Sequence, residues 1–170
     1  MNIALRLVPE DEKEILRNLL EKYEYEFSQY NHRDVNALGL YGYRYLDHYW
    51  TETGRWAYFI EVDGKLAGFV MVIDIPYDGT ETDFNLSEFF VMYAYRRLGV
   101  GREAFFKALD MHKGRWQLSY VPKNTPSVHF WNKVVDEYTQ GDFELLKSHP
   151  SVRHIDGSLC DVLLFKSKDK

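Results

Sequence analysis

The stretch Ser87–Phe106, "SEFFVMYAYRRLGVGREAFF", decides how this chain is to be read. It opens as an apolar strand through Val91. From Val100 the apolar residues fall at helical spacing, with Val100, Ala104 and Phe105 followed by Ala108 and Leu109. Between strand and helix stand Gly99 and Gly101, with Arg96, Arg97 and Arg102 around them. Glycine permits φ > 0 and lets another group come close to the main chain. Two readings stand: a tight turn and nothing more, or a nest of amide donors at a helix mouth, where N–H groups and the helix dipole favour a pyrophosphate. The spacing is neither the GxxxxGK[ST] of a P-loop nor a fingerprint after the first strand of a βαβ unit.

Outward from this junction the elements follow from periodicity. Upstream, "NIALRLV" alternates Ile3, Leu5 and Leu7 and predicts a first strand. Pro9 then stands at a first helical turn with Glu10, Asp11 and Glu12 behind it, as the helix dipole favours. Ile15, Leu16, Leu19, Leu20, Tyr23 and Phe27 share one helical face. Residues 31–54 mix aromatics with Gly39, Gly42 and Gly54, with a short helix expected near Tyr43 to Trp50. This segment reads either as a substrate-facing lid or as an irregular connection packed by its rings. "RWAYFIEVDGKLAGFVMVIDI" is a hairpin turning at Asp63-Gly64, a pair suited to φ > 0, and Leu66 to Ile75 reads as a strand buried on both faces. A polar loop, "YDGTETD", leads to a fourth strand ending near Met92.

Downstream, the helix from Val100 to about His112 stops at Gly114. "RWQLSYV" alternates Trp116, Leu118 and Tyr120 as a fifth strand, and Thr125 is the expected cap of a helix with Pro126 at its first position. Val128, Trp131, Val134, Val135 and Tyr138 make that helix's apolar stripe, and "CDVLLFK" predicts a last strand. Strands and helices in this order describe a mixed α/β (α+β) domain with a largely antiparallel sheet.

A length of 170 residues suits one domain, and 45% hydrophobic with 28% charged residues suits a globular chain with a real core. The net charge of -5 argues against a general nucleic-acid binder and mildly favours a cationic or amine substrate. Thirteen tyrosines are many; most pack, and some are candidates to line a cavity for a ligand with an apolar body. The single Cys160 has no disulfide or CxxC partner, which suits a reducing compartment. The opening "MNIALRLVPEDEKE" reads as neither signal peptide nor membrane span, so the cytoplasm is the expected location, without a membrane partner. His32, His48, His112, His129, His149 and His154 show no ligand spacing, and no metal is expected.

The run "SEFFVMYAYRRLGVGREAFF" followed by "LSYVPKNTPSVHFWNKV" resembles the GNAT superfamily of N-acetyltransferases. That family's pattern is a strand ending in Val, a bulged segment, [Gln/Arg]-x-x-Gly-x-[Gly/Ala] opening a helix, then a strand and an Asn before the next helix. Val91, Arg96, Gly99, Gly101 and Asn124 occupy those positions. The resemblance implies one GNAT-like domain over residues 1–170, its sheet of six to seven strands flanked by about four helices. It implies acetyl coenzyme A (acetyl-CoA) as cosubstrate, its pyrophosphate on the amides of Arg97, Leu98, Gly99, Val100, Gly101 and Arg102. The pantetheine arm would bond beside Val91 and Tyr93, where the fourth and fifth strands splay, and would meet Asn124, which has both a donor and an acceptor.

The implied reaction is attack of a primary amine, on a small molecule or a peptide, at the thioester, with a backbone N–H such as that of Val91 holding the oxyanion. Glu88, three residues before Val91, is the candidate base, since a carboxylate among Leu86, Phe89 and Phe90 is partly desolvated. The family's usual acid is a Tyr seven residues after the Asn. Here that position is Trp131, a donor that does not titrate, so either the thiolate leaves unassisted or Tyr120, Tyr93 or His129 stands in, with Tyr120 the candidate. Asp34, Asp47 and Glu52 are candidates to attract an ammonium or are simply solvated. The expected assembly is a monomer or homodimer. Two other readings remain at this level: a coenzyme A-binding module without catalysis, and an interaction protein whose glycines only form a turn.

Overall fold

The computed structural model describes residues 1–76 and 80–168. In chain order its elements are β1 (Ile3–Leu7), α1 (Lys13–Asn31), α2 (His48–Thr51), β2 (Arg55–Val62), β3 (Lys65–Ile73) and β4 (Phe84–Val91), then α3 (Val100–Met111), β5 (Arg115–Tyr120), α4 (Thr125–Thr139), β6 (Phe143–Leu146) and β7 (Asp161–Lys166). The strands form one sheet of seven in the order β1-β2-β3-β4-β5-β7-β6. The architecture is mixed α/β with a mostly antiparallel sheet and four helices. By internal contacts the chain divides into two compact units, Met1–Met71 with Glu88–Ala104, and Val72–Ser87 with Phe105–Lys170.

In the first unit β1 runs antiparallel to β2, from Ile3 opposite Val62 to Leu7 opposite Tyr58. Asp63 and Gly64 both have positive φ, 49° and 75°, the pair of values a two-residue hairpin turn requires. Six consecutive residues of β3, Ala67 to Val72, are buried, which is why its sequence is nearly all apolar. Leu16, Leu19 and Leu20 carry the buried face of α1. Two expectations need correcting here. Pro9 precedes a 3-10 turn, Glu10–Glu12, rather than opening the α-helix. Ile15 is exposed, because the buried stripe of α1 is narrower than its apolar one.

In the second unit β4 pairs in parallel with β5 from Phe84 opposite Trp116 to Leu86 opposite Leu118. β7 then pairs antiparallel with both β5 and β6. Phe105, Ala108 and Leu109 of α3 are fully buried, and Trp131 of α4 meets Phe105 edge-on at 5.2 Å. The cap of α4 is Asn124 rather than Thr125: its side-chain oxygen accepts the Ser127 amide at 3.2 Å. Val128 is only half-buried. β6 was not expected, since four residues of mixed polarity carry no periodicity. The first residues of the polar loop before β4, Tyr77, Asp78 and Gly79, lie outside the described residues. Among the described residues no helix is long and apolar enough to cross a membrane.

Candidate active site

The end of β4 is tied to β3 through a close backbone approach. A Cβ placed on Gly68 would stand 2.0 Å from the Phe90 carbonyl oxygen, so only glycine fits there, and the Met92 amide donates to the Ala67 carbonyl at 2.8 Å. The chain then makes a 3-10 turn at Tyr93–Tyr95 and passes through two left-handed residues, Arg97 (φ 61°) and Gly99 (φ 81°), before α3 begins. The first bond of that helix is from the Glu103 amide to the Gly99 carbonyl, 3.0 Å. The amides of Val100 and Gly101 therefore have no acceptor within the helix. Buried Val100 and Ala104 anchor the turn, while Arg97, Leu98 and Gly99 are exposed and a Cβ on Gly99 would meet nothing within 4 Å.

The three arginines divide their roles. Arg96 turns inward: its Nε donates to the Val91 carbonyl at 2.6 Å and its two terminal nitrogens grip the Glu26 carboxylate at 2.8 and 2.6 Å. Its guanidinium also lies 4.1 Å from the centre of the Tyr93 ring. Of the three, Arg96 braces the loop against α1 and Arg102 pairs with Glu103 at 3.7 Å, so Arg97 is the exposed cation at the helix mouth.

Glu88 is held by two phenols. Tyr23 of α1 donates to one carboxylate oxygen and Tyr43 donates to the other at 3.1 Å. Burial pushes the Glu88 carboxyl up to about 7, the charge of Glu24 adds to this, and the two hydroxyl donors oppose it. Burial also pushes the Tyr23 phenol well above its ordinary range, with the Glu88 charge adding to the effect, so it stays protonated as a donor. Its ring is fixed by Phe27, Phe69 and Phe90 at 4.7, 5.6 and 6.1 Å.

A cleft of about 950 Å³ is walled by Tyr25 and Glu26 of α1, by Leu40 and Tyr41, and by Phe90 and Tyr93; Glu88, Tyr23 and Tyr43 are not among its lining residues. Val35, Gly39, Leu40 and Tyr41 of the segment 31–54 line this cleft. The Glu21 carboxylate accepts the Tyr41 and Gly42 amides at 2.7 and 2.8 Å, and Arg33 donates to Glu24 at 3.0 Å and to the Tyr41 carbonyl at 2.6 Å. The helix in this segment is α2, shorter and later than expected. Asp47 and Glu52 are paired, with Lys13 at 2.9 Å and Arg55 at 2.7 Å, so neither is offered to an ammonium.

The second unit holds Tyr120, Asn124 and Trp131. Tyr120 is buried, its hydroxyl oxygen accepts from Asn132 Nδ2 at 2.8 Å, and burial raises its phenol. Asn124 uses its side-chain oxygen as the helix cap, and Trp131 is core. His129 is exposed. Among the described residues no group of three or more His, Cys, Asp or Glu is placed to hold a metal.

Sequence reasoning missed Tyr43, Glu26 and Gly68, and read Tyr23 only as part of a core stripe. Glu88 lies 65 residues from Tyr23 and 45 from Tyr43, so no local spacing signals the group.

The sequence profile of the acetyltransferase (GNAT) family matches residues 13–135. No curated protein is similar enough in sequence to count as a relative. Among solved structures, a GNAT-family acetyltransferase from Streptococcus agalactiae is 20% identical with a TM-score of 0.67, the match covering 99% of this chain and 96% of that one. The PaiA N-acetyltransferase of Thermoplasma acidophilum, solved in complex with coenzyme A, is 13% identical with a TM-score of 0.62, covering 98% and 99%. A spermidine N-acetyltransferase chimera of Vibrio cholerae SpeG and hSSAT is 15% identical with a TM-score of 0.63, covering 98% and 96%. At these identities the likeness is one of fold.

Proposed function

This chain belongs to the acetyltransferase (GNAT) family, and from that premise we propose that it moves the acetyl group of acetyl-CoA onto a primary amine of a small molecule or peptide. The whole chain acts as one acetyltransferase domain. The observation that carries the reading is the helix mouth at Gly99–Gly101: leading amides at Val100 and Gly101 without helical acceptors, open space before Gly99, and the exposed Arg97 beside them. These residues fit a pyrophosphate, whose charge suits both the amides and the dipole of α3. Val91 and Tyr93 flank the path of the pantetheine arm.

Acetyl-CoA supplies an acetyl thioester with a good leaving thiolate. The residues of the chain do the rest. Glu88 takes the proton of the acceptor's ammonium, and the Val91 N–H holds the carbonyl oxygen as charge builds there. Tyr120, whose oxygen already accepts from Asn132, donates its own proton to the departing sulfur.

A panel of amines assayed for free thiol tests this. The expected result is saturable thiol release with at least one amine, reduced about 100-fold or more by Glu88→Gln. Coenzyme A binding with no thiol release across a broad panel would instead favour a non-catalytic binding module, a reading to which the core residue Trp131 at the usual acid position lends support.

A further inference from the structure

We propose that Tyr23 and Tyr43 are positioning residues of Glu88, two hydroxyls from separate elements that fix the carboxylate's orientation and set the pH at which it becomes a base. The inference rests on the reading of Glu88 as the base and adds to it a pair of residues that local sequence does not connect with it.

The geometry carries the argument. A strand carboxylate with one free oxygen swings about its terminal torsions, but each oxygen of Glu88 receives its own donor, one from α1 and one from the segment that follows it. The Tyr23 ring is wedged among Phe27, Phe69 and Phe90, so that hydroxyl is a rigid post. Tyr43 sits on the segment whose Val35, Leu40 and Tyr41 wall the cleft, and its ring meets Tyr45 at 6.0 Å.

Burial alone keeps a carboxyl protonated and useless as a base at neutral pH; hydroxyl donors favour the carboxylate and bring it back within reach. The titratable groups bearing on Glu88 are Tyr23 and Glu24 from α1 and Tyr43 from the following segment, with Arg33 balancing Glu24. Of these, only the two phenols donate to Glu88.

The test compares the full-length wild type with Tyr23→Phe, Tyr43→Phe and Glu88→Gln. Each phenylalanine keeps the ring and deletes one hydroxyl. The Glu88 carboxyl carbon, labelled with ¹³C and assigned by its loss in Glu88→Gln, is titrated by NMR. The pH profile of kcat/KM is recorded on the best amine of the panel. The expected result is an upward shift of about one pH unit in each phenylalanine variant, seen in the carboxyl titration and in the acid limb alike, with the KM for acetyl-CoA unchanged. Unchanged titration in both phenylalanine variants overturns the proposal, while the base reading stands if Glu88→Gln loses the acid limb. An acid limb that persists in Glu88→Gln overturns the base reading itself, and with it any catalytic meaning of the two phenols.

Discussion

Glu88 couples stability to pH as directly as it couples chemistry to pH. Its folded-state pKa, near 7, is above the ordinary carboxyl value, so the folded protein holds this proton more tightly than the unfolded chain does. The sign follows: this group's contribution favours folding most below its unfolded pKa and is lost as pH rises toward 7. Glu88→Gln removes the titration. Thermal unfolding at pH 5 and pH 8 should show the variant gaining on the wild type as pH rises; a gap independent of pH would mean that the carboxyl is not perturbed. Tyr120→Phe should lower kcat about 10-fold or more with little change in the KM for acetyl-CoA, measured by steady-state kinetics. Cys160 is a contrast at the same scale: burial pushes its thiol up to about 11, and the native protein should resist a thiol-specific dye until unfolded. The strand position and partial burial of Glu88 were legible in the sequence because they depend on local residues. Its partners were not, because a hydrogen bond across 65 residues leaves no trace in spacing.

The elements that place the site are β4, the turn after it and the start of α3, and each has a brace. Gly68 lets β3 approach the Phe90 carbonyl, and Gly68→Ala forces a main-chain shift there. The expected cost is about 1–3 kcal/mol in denaturant unfolding, with weaker acetyl-CoA binding because β4 carries Val91. The Arg96–Glu26 pair braces the turn against α1. Glu26→Gln should raise the KM for acetyl-CoA several-fold and cost about 1–2 kcal/mol, whereas an unaltered KM would mean that the turn holds its shape without that pair. Periodicity revealed the strand–turn–helix order here, because Val100, Ala104, Phe105, Ala108 and Leu109 are all buried as spaced. It did not reveal β6, too short to alternate, or the cap of α4. Thr125 and Asn124 are both good capping residues, and only the backbone decides which one accepts the Ser127 amide.

For the molecule as a whole, the hairpin and the strand–helix–strand order from β4 to β5 were legible, and the sheet order was not. β7 inserts between β5 and β6, a pairing of residues far apart in sequence that no local pattern encodes. The family resemblance implied six to seven strands, and the seven observed agree with that number. The central claim concerns main chain rather than side chains: amides at the mouth of α3, kept clear by Gly99 and Gly101, hold a nucleotide pyrophosphate and so aim a thioester along β4. The most direct test is calorimetric titration of acetyl-CoA into the wild type and into Gly101→Trp, whose indole would stand over those amides. Saturable binding to the wild type, lost in the variant while its fold persists by circular dichroism, is the predicted result. No binding to the wild type at millimolar acetyl-CoA, or equal affinity in the two proteins, would contradict it.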